Sequence, residues 1–190
     1  MKMIATISGI VLLGLLSACG GGGGSSASSP AAATKLGYTN PTSGDYQLKQ
    51  NASLSTSTHL VLELWGPSGT SACGATVTFT LGGSGAAWKN VNAGDAANTF
   101  VANGTAFDLG SGTPILKAKV SGSTLMATIA EKGLASPKAL NQPLLRVAVD
   151  LQSGITAGTA IPLPPGASKI LLADGTMPAI TVIASNITAQ

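Results

Sequence analysis

The sequence predicts an all-β protein, a β-sandwich or jelly roll of about eight to ten short strands. Three observations carry this. Apolar and polar residues alternate in run after run, as in Val77-Thr78-Phe79-Thr80-Leu81, and a period of two puts one set on a buried face. The runs are short and are separated by Gly, Pro, Asn and Asp turn signals. No segment sustains a 3.6-residue period, and Ala135 to Leu140 offers at most one helical turn.

In chain order, a first strand is expected at Tyr46–Leu48, after turn signals at Asn40-Pro41 and Ser43-Gly44-Asp45. His59 to Trp65 follows, with Leu60, Leu62 and Leu64 on one face, and Gly66-Pro67 ends it. Ala75 to Leu81 sets Val77, Phe79 and Leu81 against a threonine face that should meet water. Gly82 to Asn98 reads as irregular, with Trp88 and Val91 as apolar plugs. Phe100-Val101 and Ala106 to Leu109 read as short strands around an Asn103-Gly104 turn. Ile115 to Val120 turns Leu116, Ala118 and Val120 inward and Lys117 and Lys119 outward. Further strands are expected at Leu125–Ala130, Leu144–Leu151, Ala157–Leu163, Ile170–Ala173 and Ala179–Ala184.

The cadence of the second half is similar to that of cohesin-like domains. It lies in Pro114 to Val120, the strand ending before Gly133, and Leu144 to Leu151. A closing pair, Lys169 to Gly175 and Ala179 to Ala184, completes it. The resemblance spans roughly residues 58–185 and implies a jelly-roll sandwich related to carbohydrate-binding modules. Cohesins bind dockerins on a sheet face. The rhythm carries no signature motif and assigns no contact residue.

The N-terminus carries a different signal. Lys2 precedes an apolar run from Ile4 to Leu16, which fits the roughly 7–15-residue core of a secretory signal. It is shorter than the about 20 residues of a membrane-spanning helix. Leu16-Ser17-Ala18-Cys19 resembles the lipobox of bacterial lipoproteins. That resemblance implies removal of residues 1–18 and lipidation of Cys19, with no Asp after it to favour inner-membrane retention. Each buried methylene contributes about 0.8 kcal/mol, so several acyl chains on one cysteine make a firm anchor. Residues 19–34 then form a lipidated cysteine and a Gly/Ser/Ala tether spanning about 20 Å. Residues 35–190 form one domain, large enough to bury a core without staples.

Composition removes several function classes. The charge is +3 and only 9% of residues are charged. The basic residues are scattered and aromatics are few, which excludes a nucleic-acid binder. With Cys19 lipidated, Cys73 has no intramolecular partner and reads as a buried small residue. His59 is the single histidine. Without Gly-x-Ser-x-Gly, any triad would have to be assembled around it. Asp95, Asp108, Glu131 and Asp150 form no marked carboxylate pair. No enzyme, cofactor or metal site is expected: zinc lacks ligands. Asn90, Asn92 and Asp95, like Asp174-Gly175-Thr176, suit turns and lack the EF-hand pattern.

The chain is therefore expected to be a non-catalytic binding lipoprotein of the cell envelope, held to the outer membrane through Cys19. Its partner is expected to be a protein, in adhesion or surface assembly. A glycan is the alternative, and a filament subunit pairing through strand edges the third reading. For a glycan, Trp65 and Trp88 are the candidate contacts, because sugar sites use aromatic faces beside polar groups.

Overall fold

The computed structural model describes residues 30–107 and 115–190. Within them the chain forms strands and no helix. The strands are β1 (Leu36–Tyr38), β2 (Tyr46–Gln50), β3 (His59–Trp65), β4 (Ser71–Ala72), β5 (Gly74–Thr80), β6 (Ala86–Lys89), β7 (Ala102–Asn103) and β8 (Ile115–Ser121). After them come β9 (Thr124–Ala130), β10 (Lys138–Ala139), β11 (Leu145–Leu151), β12 (Ala160–Ile161), β13 (Ser168–Leu171), β14 (Ala179–Ile180), β15 (Val182–Ile183) and β16 (Ile187–Ala189).

Two sheets pack face to face. One has the order β15-β2-β3-β11-β6, with β7 added beside β11; the other has the order β14-β13-β5-β9-β8. Smaller sheets, β1-β16-β12 and β10-β4, close the ends. All pairings are antiparallel except β15 with β2. The alternation dictates what meets in the middle. Leu48, Leu60, Leu62, Leu64, Val147 and Val149 come from the first sheet, and Val77, Phe79, Leu125, Ala127, Ile129 and Ile170 from the second. All twelve are buried in one continuous core. Such side chains each contribute about 1.5–3 kcal/mol on full burial, which is why the period-two strands hold their register.

The strands expected at His59–Trp65, Ala75–Leu81, Leu125–Ala130 and Leu144–Leu151 form within a residue or so of those bounds. Trp88 and Val91 are buried, as plugs should be. Several expectations fail. Asn103-Gly104 is not a hairpin turn, because Asn103 itself pairs with Leu145 in β7. Gly104 is required there by close approach instead: a Cβ on it would lie 2.1 Å from the Pro143 carbonyl oxygen. Phe100 is not in a strand, since its φ of 53° is left-handed. Ala106 and Phe107, expected to begin a strand, are not in one either, and Asp108 and Leu109 lie outside the described residues.

Ala179–Ala184 is not one strand either. Ile180 pairs with Ser168 in one sheet and Val182 with Tyr46 in the other, so the chain changes sheets at Thr181. Five elements were not expected as strands, β1, β4, β6, β10 and β16, and β10 puts an extended pair at Lys138–Ala139 where at most a helical turn was expected. Backbone hydrogen bonding to the domain begins upstream of Leu36: Ala157 N donates to Ala31 O and Ala33 N to Ile155 O.

Candidate functional site

The two sheets differ in what covers their outer faces. On the first sheet, Val61 of β3 and Ala148 of β11 point outward, yet both are fully buried. They pack with Val91 and Ala102 in a small satellite core, so the segment after β6 folds over this face. Lower on the same face, Glu63 is buried and Arg146 Nε donates to its Oε1 at 2.7 Å. Asn51 Nδ2 donates to the same oxygen at 2.7 Å.

The second sheet is open. Across β8, β9, β5 and β13, one outward row runs Lys117, Thr128, Thr76, Lys169 and the next runs Lys119, Met126, Thr78. The threonines pair across strands: Thr76 and Thr128 hydroxyls lie 2.9 Å apart, Thr80 and Thr124 hydroxyls 3.0 Å apart. Such pairs stiffen a sheet surface without burying it. Met126 is 48% exposed at the centre of the face and Ile115 at its edge is 48% exposed. The four strands contain no Asp or Glu. The result is a lysine-bearing platform with Met126 as its central apolar projection and Ile115 as a second at the edge.

At the far end of the covered face lies a groove of about 730 Å³. His59 and Asp150 are register partners in β3 and β11, and His59 Nδ1 lies 2.5 Å from Asp150 Oδ1. His59 Nε2 is 3.2 Å from the Val91 carbonyl oxygen, so the imidazole ties the covering segment to the sheet. That segment is conformationally strained, with Asn98 at φ 65° and Phe100 at φ 53°. Left-handed non-glycine residues cost on the order of 1–3 kcal/mol each and persist only where neighbours enforce them. Asn90 is the enforcer. Its Oδ1 accepts from Thr99 N and Phe100 N, and its Nδ2 donates to the Asp95 and Ala96 carbonyls.

These bonds give Asn90, Asn92 and Asp95 a turn-stapling role, with Asn92 Nδ2 donating to Asp95 Oδ2 at 3.1 Å. Asp174 likewise accepts from Thr176 N and Oγ1, and these bonds hold its carboxyl below the usual carboxylate range. Among the described residues no three His, Cys, Asp or Glu side chains converge on a common point.

Of the residues singled out for a glycan, Trp88 is 6% exposed, and its Nε1 donates to Ser123 O at 2.7 Å, locking the β8–β9 turn to the core. Trp65 is half-buried in a polar cleft of about 290 Å³ beside Asp45, Gln47 and Ser68. The Lys49 ammonium stands 5.0 Å from its ring centroid. Structure does not bring the two tryptophans into one site. Cys73 is buried, its Sγ 3.6 Å from Leu134 O, and desolvation followed by the charge of Glu131 pushes its thiol up from 9.0. Cys19 and Asp108 lie outside the described residues. Sequence reasoning did not find the His59–Asp150 pair, whose partners are 91 residues apart, or the Asn90 staple.

Among solved structures, the second type II cohesin module of the cellulosomal adaptor ScaA scaffoldin of Acetivibrio cellulolyticus superposes with a TM-score of 0.59, covering 79% of this chain and 99% of that one at 12% identity. The fold is cohesin-like. The sixth cohesin of scaffoldin B from the same organism, solved with a Cel5 dockerin mutant, gives a TM-score of 0.54 at 11% identity, with 75% and 96% of the two chains covered. A cohesin module from a family 33 glycoside hydrolase of Clostridium perfringens gives 0.52 at 12% identity, with 78% and 97% covered. No protein-family model and no curated protein matches the sequence. The superposed region takes in nearly the whole of each of these modules.

Proposed function

We propose that this protein is a non-catalytic binding module that holds a protein partner on the open face of β8, β9, β5 and β13, displayed from the cell envelope by a lipid on Cys19. The observation that carries the reading is the contrast between the two outer faces. One is closed by its own chain over Val61 and Ala148. The other presents Lys117, Lys119 and Lys169 around Met126 with no acidic residue on its strands. Its chemistry suits a partner with an acidic surface and a shallow apolar pocket for Met126, because opposite charge steers encounter and a central apolar anchor supplies affinity. The cohesin-like fold supports this reading, since one such module was solved with a dockerin.

The test is crosslinking in the native envelope with the full chain beside a Lys119→Glu, Met126→Glu double variant. Both positions are exposed, so folding should survive. One partner crosslinked by the wild type and lost in the variant, with binding weakened by salt, supports the reading. A partner retained by the variant refutes it. Intact mass and detergent partitioning beside Cys19→Ala test the anchor: an unlipidated wild type would remove it.

A further inference from the structure

We propose that the groove between the His59–Asp150 pair and the Asn98–Phe100 segment binds a small saccharide. This site is separate from the open sheet face and does not depend on the reading given to that face. Its volume, about 730 Å³, lies within the roughly 300–1,000 Å³ of small-molecule pockets and takes roughly one or two sugar rings.

The lining chemistry selects a neutral polyol. Asp150 gives Oδ1 to His59, and Oδ2 has no hydrogen-bond donor among the described residues, which leaves it to accept from a hydroxyl. Lys89 and Asn98 line the same groove, and neither side chain makes a hydrogen bond among the described residues. Lysine supplies donors only, whereas an asparagine amide supplies both donors and an acceptor. The groove is lined by one cation, Lys89, and one carboxylate, Asp150, so the lining favours neither an anion nor a cation over an uncharged ligand. Hydroxyl groups, which donate and accept at once, match this mixture. Leu54, 39% exposed, and Phe100 supply apolar wall, to which the C–H face of a sugar ring can pack.

The groove is built in advance. Two residues that line it hold left-handed backbone, Asn98 and Phe100, and Asn90 fixes them from within through Thr99 N and Phe100 N. His59, bonded on one side to Asp150 and on the other to Val91 O, fixes the floor. A rigid site forfeits little ordering entropy on binding.

The experiment is an amide-resolved NMR titration of the full chain with millimolar maltose, cellobiose, lactose and chitobiose. At least one should give saturable shifts centred on His59 and Lys89 to Phe100. Lys89→Ala changes an exposed side chain, and Asn98→Gly removes the amide at a φ that glycine adopts freely, so both variants should fold. Each should weaken binding by about tenfold, the loss of one hydrogen bond to a charged or well-placed group. Absence of saturable shifts with every sugar overturns the proposal. So do shifts centred on the Trp65 cleft or the open sheet face, and so does affinity unchanged in both variants. None of these outcomes bears on the protein partner, whose test uses Lys119 and Met126.

Discussion

Arg146 Nε donates to Glu63 Oε1 at 2.7 Å across register partners of β11 and β3, and that carboxylate is almost wholly buried. Arg146 Nη1 reaches on to Asn103 O at 3.1 Å, so one guanidinium joins a buried charge to the β7 addition. Removing the cation alone strands the anion. Arg146→Met should therefore destabilise by about 3–5 kcal/mol, whereas a double Glu63→Leu, Arg146→Met variant should recover much of the loss. Urea unfolding of the three proteins checks this. Equal stability of wild type and single variant would mean that water reaches Glu63.

Gly104 makes a sharper steric prediction. Its missing Cβ would meet the Pro143 carbonyl carbon at 2.4 Å as well as the oxygen, both backbone atoms that cannot swing aside. Gly104→Ala should cost at least about 2 kcal/mol. Gly94 has open space around its missing Cβ, and Gly94→Ala should stay within about 0.5 kcal/mol of wild type. Thermal melts of the pair separate close approach from general glycine effects.

Which features were legible follows the same distinction between local pattern and distant contact. β5 could be read because Val77 and Phe79 alternate with half-buried threonines, and β3 because Leu60, Leu62 and Leu64 recur at a period of two, although Val61 and Glu63 between them are buried as well. β6 could not, since Ala86-Ala87-Trp88-Lys89 contains too little apolar contrast to show a period, and pairing with β11 is what makes it a strand. β16 is three residues long and is held by β1 from the opposite end of the domain. The open threonine face was foreseeable from Thr76, Thr78 and Thr80. The groove was not: His59 and Asp150 meet only through strand register, and the backbone of Phe100 is set by the side chain of Asn90 ten residues earlier.

Stability should fall in alkali. Burial pushes Cys73 up from 9.0, and it pushes Tyr38 and Tyr46 up from 10.0, against opposing hydrogen bonds from Ser185 at Tyr38 and with added repulsion from Asp45 at Tyr46. The folded state thus holds these protons more tightly than the unfolded chain does. Their contribution is complete below the unfolded values and is lost as pH rises above about 9 to 10. Urea midpoints should be insensitive to these groups at neutral pH and decline from about pH 9 upward. Cys73→Ala should remove the earliest part of the decline, and the native thiol should resist aromatic disulfide reagents until the protein unfolds. Rapid native labelling at neutral pH would contradict the burial of Cys73.

The two tryptophans should report two different environments. Trp88 sits in the core with its indole N–H committed to Ser123 O, whereas Trp65 is half-buried at a polar cleft beneath Lys49. A Trp65→Phe variant, fluorescing from Trp88 alone, should emit to the blue and resist iodide. A Trp88→Phe variant should emit to the red and quench readily, the more so because iodide is drawn to the ammonium of Lys49. Trp88→Phe also removes one of the two donors to Ser123 O, leaving Leu81 N at 3.0 Å, and should cost about 0.5–1.5 kcal/mol beyond the change in packing. Trp65→Phe breaks no hydrogen bond, because Trp65 Nε1 is buried without a partner among the described residues. It should be close to neutral or slightly stabilising, since a lone buried donor is itself a cost. If both variants lost equal stability, the Ser123 bond would not be what fixes the turn between β8 and β9 to the core.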